Sequence, residues 1–292
     1  SRGHRFASGT DTEVIVHAYE EYGDDCVRHF NGMFAFAIWD RRGAGRLVLA
    51  RDRWGIKPLY YARVGDTFAF GSEVKSFLEV PGFRVRLDLE AATEYLTFQN
   101  MLGDRTLFAG VRTLPAGSMM IIEGDQTPRV TRWWQPHFEA TEDRGEAWYL
   151  AGVREQFEEA VRRQLMGDVP VGSYLSGGMD SGSITAVAAR QISHLHTFTG
   201  GFPVAGLTGG EAMTDERTAA EFMARTIGTE HYTVVVQPHD LPRILPELVW
   251  HLEDLRVASS YHNYAVARLA SRFVKVVLAG AGGDEIFAGY PW

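Results

Sequence analysis

The sequence predicts two domains, the first of α+β type and the second of α/β type on a doubly wound parallel sheet. Three observations carry that prediction. Residues 147–292 alternate strand-like and helix-like segments. Three of those strands end in glycine clusters, at Ser176-Gly177-Gly178, Gly200-Gly201 and Gly280-Ala281-Gly282-Gly283. The first half instead runs short strands one after another, joined by turns.

In the first half, Thr10-Asp11-Thr12-Glu13 opens a helix, with Thr10 or Asp11 as its N-cap and acids in its first turn. Val14, Ile15, Ala18 and Tyr19 form its apolar face and Gly23 stops it. Residues 24–30 read as a second short helix, and residues 33–39 as a strand buried on both faces. Meander strands are expected at 46–51, 59–63 and 67–71, with turns at Arg42-Gly43 and Gly65-Asp66. Residues 74–78 and 89–98 read as helical. Arg51, Asp52, Arg53 and Lys57 form a dense charged run, which solvated or inter-element salt bridges explain.

The polar, proline-containing stretch 133–145 is the best boundary. It divides the chain into domains at 1–136 and 147–292, with a linker at 137–146. An amphipathic helix follows at 147–166, with Leu150, Val153, Phe157 and Val161 on one side. Beyond the glycine turn, Ile184, Val187, Ala188 and Gln191 fall at helical spacing from Ser181 onward. Strands at 196–202, 230–236 and 274–278 alternate with helices at 214–227, 241–252 and 261–271.

The chain is organised around Val171-Gly172-Ser173-Tyr174-Leu175-Ser176-Gly177-Gly178-Met179-Asp180-Ser181. A strand that breaks into a glycine turn and restarts as a helix aims backbone N–H groups and a helix dipole at one point, which suits a phosphate. The two glycines let the backbone approach a ligand, and Ser176 and Ser181 add hydroxyl donors. Asp180 would repel a phosphate unless a cation lay between them, which suggests Mg²⁺. No lysine follows the glycines, so the loop is not the G-x-x-x-x-G-K-[ST] type that serves γ-phosphate transfer.

Ser176-Gly177-Gly178-Met179-Asp180-Ser181 resembles the pyrophosphate loop of SGGxDS-type ATP pyrophosphatases. Residues 9–14, 32–37, 50–61 and 70–75, with 107–115 and Gly117, resemble the second half of a class II glutamine amidotransferase domain. Together these stretches are similar to the glutamine-dependent asparagine synthetase family. The resemblance implies an incomplete Ntn-type α/β/β/α amidotransferase domain followed by an incomplete ATP pyrophosphatase domain. The nucleophilic N-terminal cysteine and the Asn-Gly oxyanion pair of the family would then lie upstream of Ser1, and further helical chain beyond Trp292.

By the same resemblance Asp11 holds the α-amino group of glutamine, where local sequence alone supports a helix cap equally. Ser176, Gly177, Gly178, Asp180 and Ser181 grip the pyrophosphate of ATP. Leu175, Gly200, Ala279 and Gly280 hold adenosine, and Asp180 and Asp284 face one Mg²⁺. For Asp284-Glu285 the alternative is an acid-rich first helical turn, set against the pairing with Asp180. Many family members carry an acid where this chain has Ala281, and that departure bears on the acceptor carboxyl substrate and the ammonia step. Glu253 and Asp254 are candidates to supply the charge instead, and Arg256 to hold a substrate carboxylate in a two-pronged bond, each set against an ordinary charged helix end.

The activity so implied is ATP-dependent adenylation of the aspartate side chain, loss of pyrophosphate, and amidation by ammonia from glutamine. One alternative is a biosynthetic amidotransferase acting on another carboxylic acid; a second is a nucleotide-binding homologue without catalysis. Composition sets outer bounds. The 29 basic and 37 acidic residues give a net charge of −8 with no basic block, against a nucleic-acid surface. No apolar run approaches a membrane span and no signal peptide is visible, so a cytoplasmic enzyme is expected. A homodimer is kept open as the assembly. Cys26 is the single cysteine and reads as a packing residue, not as the nucleophile. The ten histidines are scattered, without an HExxH or a Cys/His cluster, so zinc is not indicated.

Overall fold

The computed structural model describes residues 3–124, 126–139, 142–203, 216–254 and 260–289. The chain divides into two compact units, Ser1–Glu139 with Leu252–Val257, and Ala140–His251 with Ala258–Trp292.

The first unit opens with helix α1 (Asp11–Tyr22), followed directly by a 3₁₀ helix (Gly23–His29). Strands β1 (Ala35–Asp40), β2 (Arg46–Arg51), β3 (Tyr60–Val64) and β4 (Thr67–Gly71) come next. A 3₁₀ helix (Val74–Glu79), helix α2 (Leu89–Phe98) and strands β5 (Val111–Thr113), β6 (Ser118–Glu123) and β7 (Arg129–Arg132) complete it. The strands do not form one meander. They make two antiparallel sheets, ordered β1-β2-β6-β7 and β4-β3-β5.

Two-residue side-chain alternation stacks these sheets. In β2 and β6, Val48, Ala50, Met119 and Ile121 pack with Tyr19 of α1 and with Cys26 and Val27. Their neighbours Leu47, Leu49, Met120 and Ile122 point the other way and meet Leu59, Tyr61 and Phe68 of the second sheet. On β3, Ala62 and its neighbours Tyr60 and Val64 then turn to Val74 and Phe77 of the second 3₁₀ helix. The result is the α/β/β/α layering expected of the amidotransferase half.

Several local expectations change for tertiary reasons. The strand buried on both faces is β2, with β6 beside it; β1 is the sheet edge, and its Trp39 is 62% exposed. An apolar run marks burial only when a neighbour covers both faces. Val14 is exposed on α1, whereas Tyr19 is buried. The segments at 24–30 and 74–78 are 3₁₀ rather than α. Trp133, placed near the linker, belongs to the first core, where its ring stacks on Phe34.

The charged run around Asp52 binds backbone groups. Asp52 is 1% exposed and accepts hydrogen bonds from the backbone N–H groups of Phe34, Trp54, Ile56 and Lys57. The Arg51 guanidinium donates to the carbonyl oxygens of Gly55, Lys57 and Leu114. These charges organise the backbone of the turn around the buried Asp52 carboxylate.

The second unit begins with α3 (Glu146–Gln164), β8 (Val171–Tyr174), α4 (Met179–Ala189) and β9 (His196–Gly201). It continues with α5 (Arg217–Ile227), β10 (Glu230–Val235), α6 (Leu241–Leu252), α7 (Ser260–Ala270), β11 (Val276–Leu278) and the single turn α8 (Gly283–Phe287). The four strands are parallel and ordered β10-β9-β8-β11. Val161 of α3 and Val187 and Ala188 of α4 cover one face; Val266 and Ala270 of α7 cover the other, against Phe198. This is the doubly wound sheet. Leu150 and Val153, assigned to the buried side of α3, are exposed, and only Phe157 and Val161 of that stripe pack inward. No described helix is long and apolar enough to cross a membrane.

Candidate active site

The strand order reverses at β8. From it the chain steps one way to β9 and β10, and returns on the other side as β11. In open parallel sheets the crevice at such a reversal, beyond the carboxyl ends of the strands, is where ligands bind. A cavity of about 620 Å³ opens there, a size suited to a small-molecule ligand. The ends of β8, β9 and β11 all contribute to it. Leu175, Ser176, Gly178, Asp180 and Ser181 line it from the first, Gly200 from the second, and Ala279, Gly280, Ala281 and Asp284 from the third.

Local chemistry shapes the β8 loop. Helix α4 begins at Met179, two residues earlier than its apolar spacing suggests, with Gly178 as N-cap. Ser181 Oγ lies 2.8 Å from Ser176 Oγ and accepts from the Ser176 N–H at 3.1 Å. Ser176 Oγ in turn accepts from the Gly178 N–H at 3.2 Å. The two serines thus tie the loop to itself before any ligand is considered.

The two glycines do different work. Gly177 has φ +84°, and a Cβ there would lie 2.6 Å from Ala219 Cβ and 2.9 Å from the Ala220 amide nitrogen of α5. Gly177 is therefore a packing glycine, and it is absent from the cavity lining, whereas Gly178 lies on it. The sequence set both toward a ligand; the helix behind the loop gives Gly177 a packing requirement of its own.

The β11 loop packs closely on the start of α4. A Cβ on Gly280 would come 2.9 Å from the Ser181 amide nitrogen, and one on Gly283 would fall 2.2 Å from Asp180 Oδ2. The Asp180 carboxylate thus occupies the space a side chain at 283 would take, one residue before Asp284. Both carboxylates line the same cavity. That donor set, two carboxylates beside serine hydroxyls and a glycine turn, fits a hard divalent cation shared with a polyphosphate.

Two titratable lining residues, Glu216 and His262, were given no site role from the sequence, and Glu285 was read only in a helical turn. His262 fills the space left by Gly200, with Nε2 2.3 Å from where a Cβ would sit. Desolvation pushes the Glu216 carboxyl above its usual range, with His262 pulling the other way. Glu216 is the N-cap residue of α5, and only the return of α7 over β9 brings it to His262. Glu285 accepts from the Gly282 N–H at 2.9 Å.

The remaining candidates lie elsewhere. Asp11 is the first residue of α1 and is exposed. Both oxygens of Glu253 are engaged, by the N–H groups of Val74 and Lys75 at 2.7 Å each. It caps the 3₁₀ helix and is not on the cavity. Arg256 lies outside the described residues. Cys26 is 1% exposed, and burial, followed by the charge of Asp24, pushes its thiol up to about 11. That is the behaviour of an inert core cysteine.

A layered α/β/β/α domain joined to a parallel sheet with a serine–diglycine loop at its reversal defines the class: an amidotransferase-type domain followed by an ATP-pyrophosphatase-type domain. Comparison with known proteins agrees. Residues 1–134 match the glutamine amidotransferase domain and residues 152–292 match asparagine synthase. The chain belongs to the glutamine-dependent asparagine synthetase family. It is 35% identical to asparagine synthetase [glutamine-hydrolyzing] 3 of Bacillus subtilis, over 100% of this chain and 49% of the relative. It is 38% identical to a putative asparagine synthetase of Mycobacterium bovis, over 98% of this chain and 44% of that protein. Amidase chyE of Penicillium rubens is 32% identical, over 98% and 44% respectively. The chain spans about half the length of the curated relatives it matches.

Proposed function

We propose that the full-length protein is a glutamine-hydrolysing asparagine synthetase. The observation that carries this reading is the cavity at the sheet reversal, where the serine–diglycine loop and the carboxylates of Asp180 and Asp284 share one space. Leu175, Gly200, Ala279 and Gly280 hold the adenosine of ATP. Ser176, Gly178 and Ser181 receive the pyrophosphate, with Gly177 permitting the turn. Asp180 and Asp284 hold Mg²⁺, which when bound offsets the negative charge of the phosphates.

An unactivated carboxylate does not react with ammonia in water. Attack of the aspartate side-chain carboxylate on the α-phosphorus expels pyrophosphate and leaves a mixed anhydride with AMP. Ammonia from glutamine, held at the first domain through Asp11, then displaces AMP. The β8 loop favours the first step because its donors face the group on which charge accumulates. Shielding both reagents from water is the physical reason to join the two domains.

A second reading is supported by Ala281 on the cavity wall, where the family often has an acid, and by the relative named an amidase. In that reading another carboxylic acid replaces aspartate. Exchange of labelled pyrophosphate into ATP, run on the full-length protein, separates the cases. Exchange that requires aspartate supports the first reading, and exchange that requires a different acid supports the second. ATP binding without exchange under any acid overturns both in favour of a non-catalytic homologue.

A further inference from the structure

Histidines scattered in sequence are brought together at the start of the first unit. His17 and Glu20 lie three residues apart on one face of α1. His4 comes from the segment ahead of the helix, and its ring centroid is 4.6 Å from that of His17. His17 Nδ1 is 2.9 Å and His4 Nδ1 is 3.4 Å from the same atom, Glu20 Oε2. Among the described residues, this is the one trio of metal-type side chains whose ligand atoms all lie within 4.8 Å of one another.

We propose that His4, His17 and Glu20 bind a divalent cation of the zinc class, with water as the fourth ligand. Zinc–nitrogen and zinc–oxygen bonds of about 2.0–2.1 Å at tetrahedral angles place neighbouring ligand atoms about 3.3 Å apart. The two nitrogen–oxygen separations fall on either side of that value. Two imidazoles and one carboxylate are a ligand set for zinc rather than magnesium or calcium.

The far side of each ring supplies the independent observation. Metal-bound imidazoles commonly direct their second nitrogen at a carboxylate, which fixes the tautomer and raises the basicity of the ligating nitrogen. His4 Nε2 is 2.8 Å from Glu21 Oε1. His17 Nε2 is buried, has no hydrogen-bond partner within range, and faces Glu13 Oε1 at 3.6 Å. Glu13 is held in place by the N–H groups of Ala7 and Ser8, both at 2.6 Å, and by the Ser8 hydroxyl. Phe6 packs edge-on against the His17 ring and walls one side. Glu20, half exposed, leaves the other side open for water. Bound there, the cation would cross-link the segment carrying His4 to α1, whose first residue is Asp11.

Ordinary imidazolium–carboxylate pairing would use the same contacts, so the test must detect the metal itself. Co²⁺ is titrated into the full-length protein, free of any histidine tag and carrying Asp180→Asn to silence the second-unit carboxylates. The expected result is one equivalent giving an intense visible band of four-coordinate cobalt, displaced by Zn²⁺. His4→Gln and His17→Gln should each lower Zn²⁺ affinity on the order of 100-fold, and Glu21→Gln by about 10–100-fold. His29→Gln, whose ring stacks on Tyr22, should change nothing. No band at one equivalent, or a band that survives both His4→Gln and His17→Gln, overturns the proposal. His4 lies outside the helix, so His4→Gln decides the matter if His17→Gln misfolds. Either result leaves the pyrophosphate-exchange experiment unaffected.

Discussion

Replacing each glycine of the β8 loop by alanine should separate folding from binding. At Gly177 an alanine must hold φ near +84°, which costs an L residue about 1–2 kcal/mol. Its methyl group would also sit 2.6 Å from Ala219 Cβ and 2.9 Å from the Ala220 backbone nitrogen. Backbone cannot swing aside, so overpacking adds about 1–3 kcal/mol. The sum, about 2–5 kcal/mol, moves a urea midpoint down by about 1–2.5 M at a slope of ~2 kcal/mol/M. At Gly178 the backbone is ordinary, with φ −75° and ψ 162°, and the nearest atom to a new methyl is Ser176 Oγ at 3.2 Å. Gly178→Ala should therefore stay within about 1 kcal/mol of the parent, as expected for an alanine at an N-cap. It should nevertheless weaken ATP at least roughly tenfold, because Gly178 lines the cavity and a methyl there crowds Ser176 Oγ. The assay is urea unfolding followed by far-UV circular dichroism, paired with ATP titration calorimetry. Equal midpoint shifts for the two variants, or a Gly177→Ala shift below about 0.3 M, would refute this division of labour.

Three further outcomes follow from the first unit. Asp52→Ala removes the buried acceptor of four backbone N–H donors and should cost about 3–5 kcal/mol in thermal unfolding; a loss under about 1 kcal/mol contradicts the network. Hydrogen bonds from the Ser8 hydroxyl and the Ala7 N–H hold the Glu13 carboxyl down at about 2. A carboxyl lowered on folding stabilises the native state fully above its unfolded value of about 4.3, and that contribution disappears as pH falls toward 2. The amide resonances of Ala7 and Ser8 should accordingly titrate near pH 2 and become flat in Glu13→Gln, and a midpoint near 4 would count against the contact. Cys26 should resist a thiol-specific disulfide reagent in the native protein and react only on denaturation, since its thiol is buried and raised to about 11.

Much of the second unit was legible because its signals are local. A strand that ends in glycines and restarts as a helix needs only neighbouring residues to be recognised, and strand–helix alternation allows few topologies. The loop from Ser176 to Ser181 is one uninterrupted stretch, so its strand–turn–helix course could be read from neighbouring residues alone. The short strands β5, β6 and β7 escaped notice for the opposite reason. Their identity depends on partners: β6 is a strand because β2 and β7 pair with it.

Sequence by itself determined the two-domain order, the strand–glycine–helix loop, the family and the poor prospects of Cys26 as a nucleophile. Tertiary structure alone decided which glycine packs and which faces the cavity, because that depends on where α5 lies. It also turned the charged run at Asp52 into a backbone clamp and brought His4 beside His17. In each case, the deciding neighbour is distant along the chain or hidden by the helix between, and residue spacing carries no information about which distant surfaces close on one another.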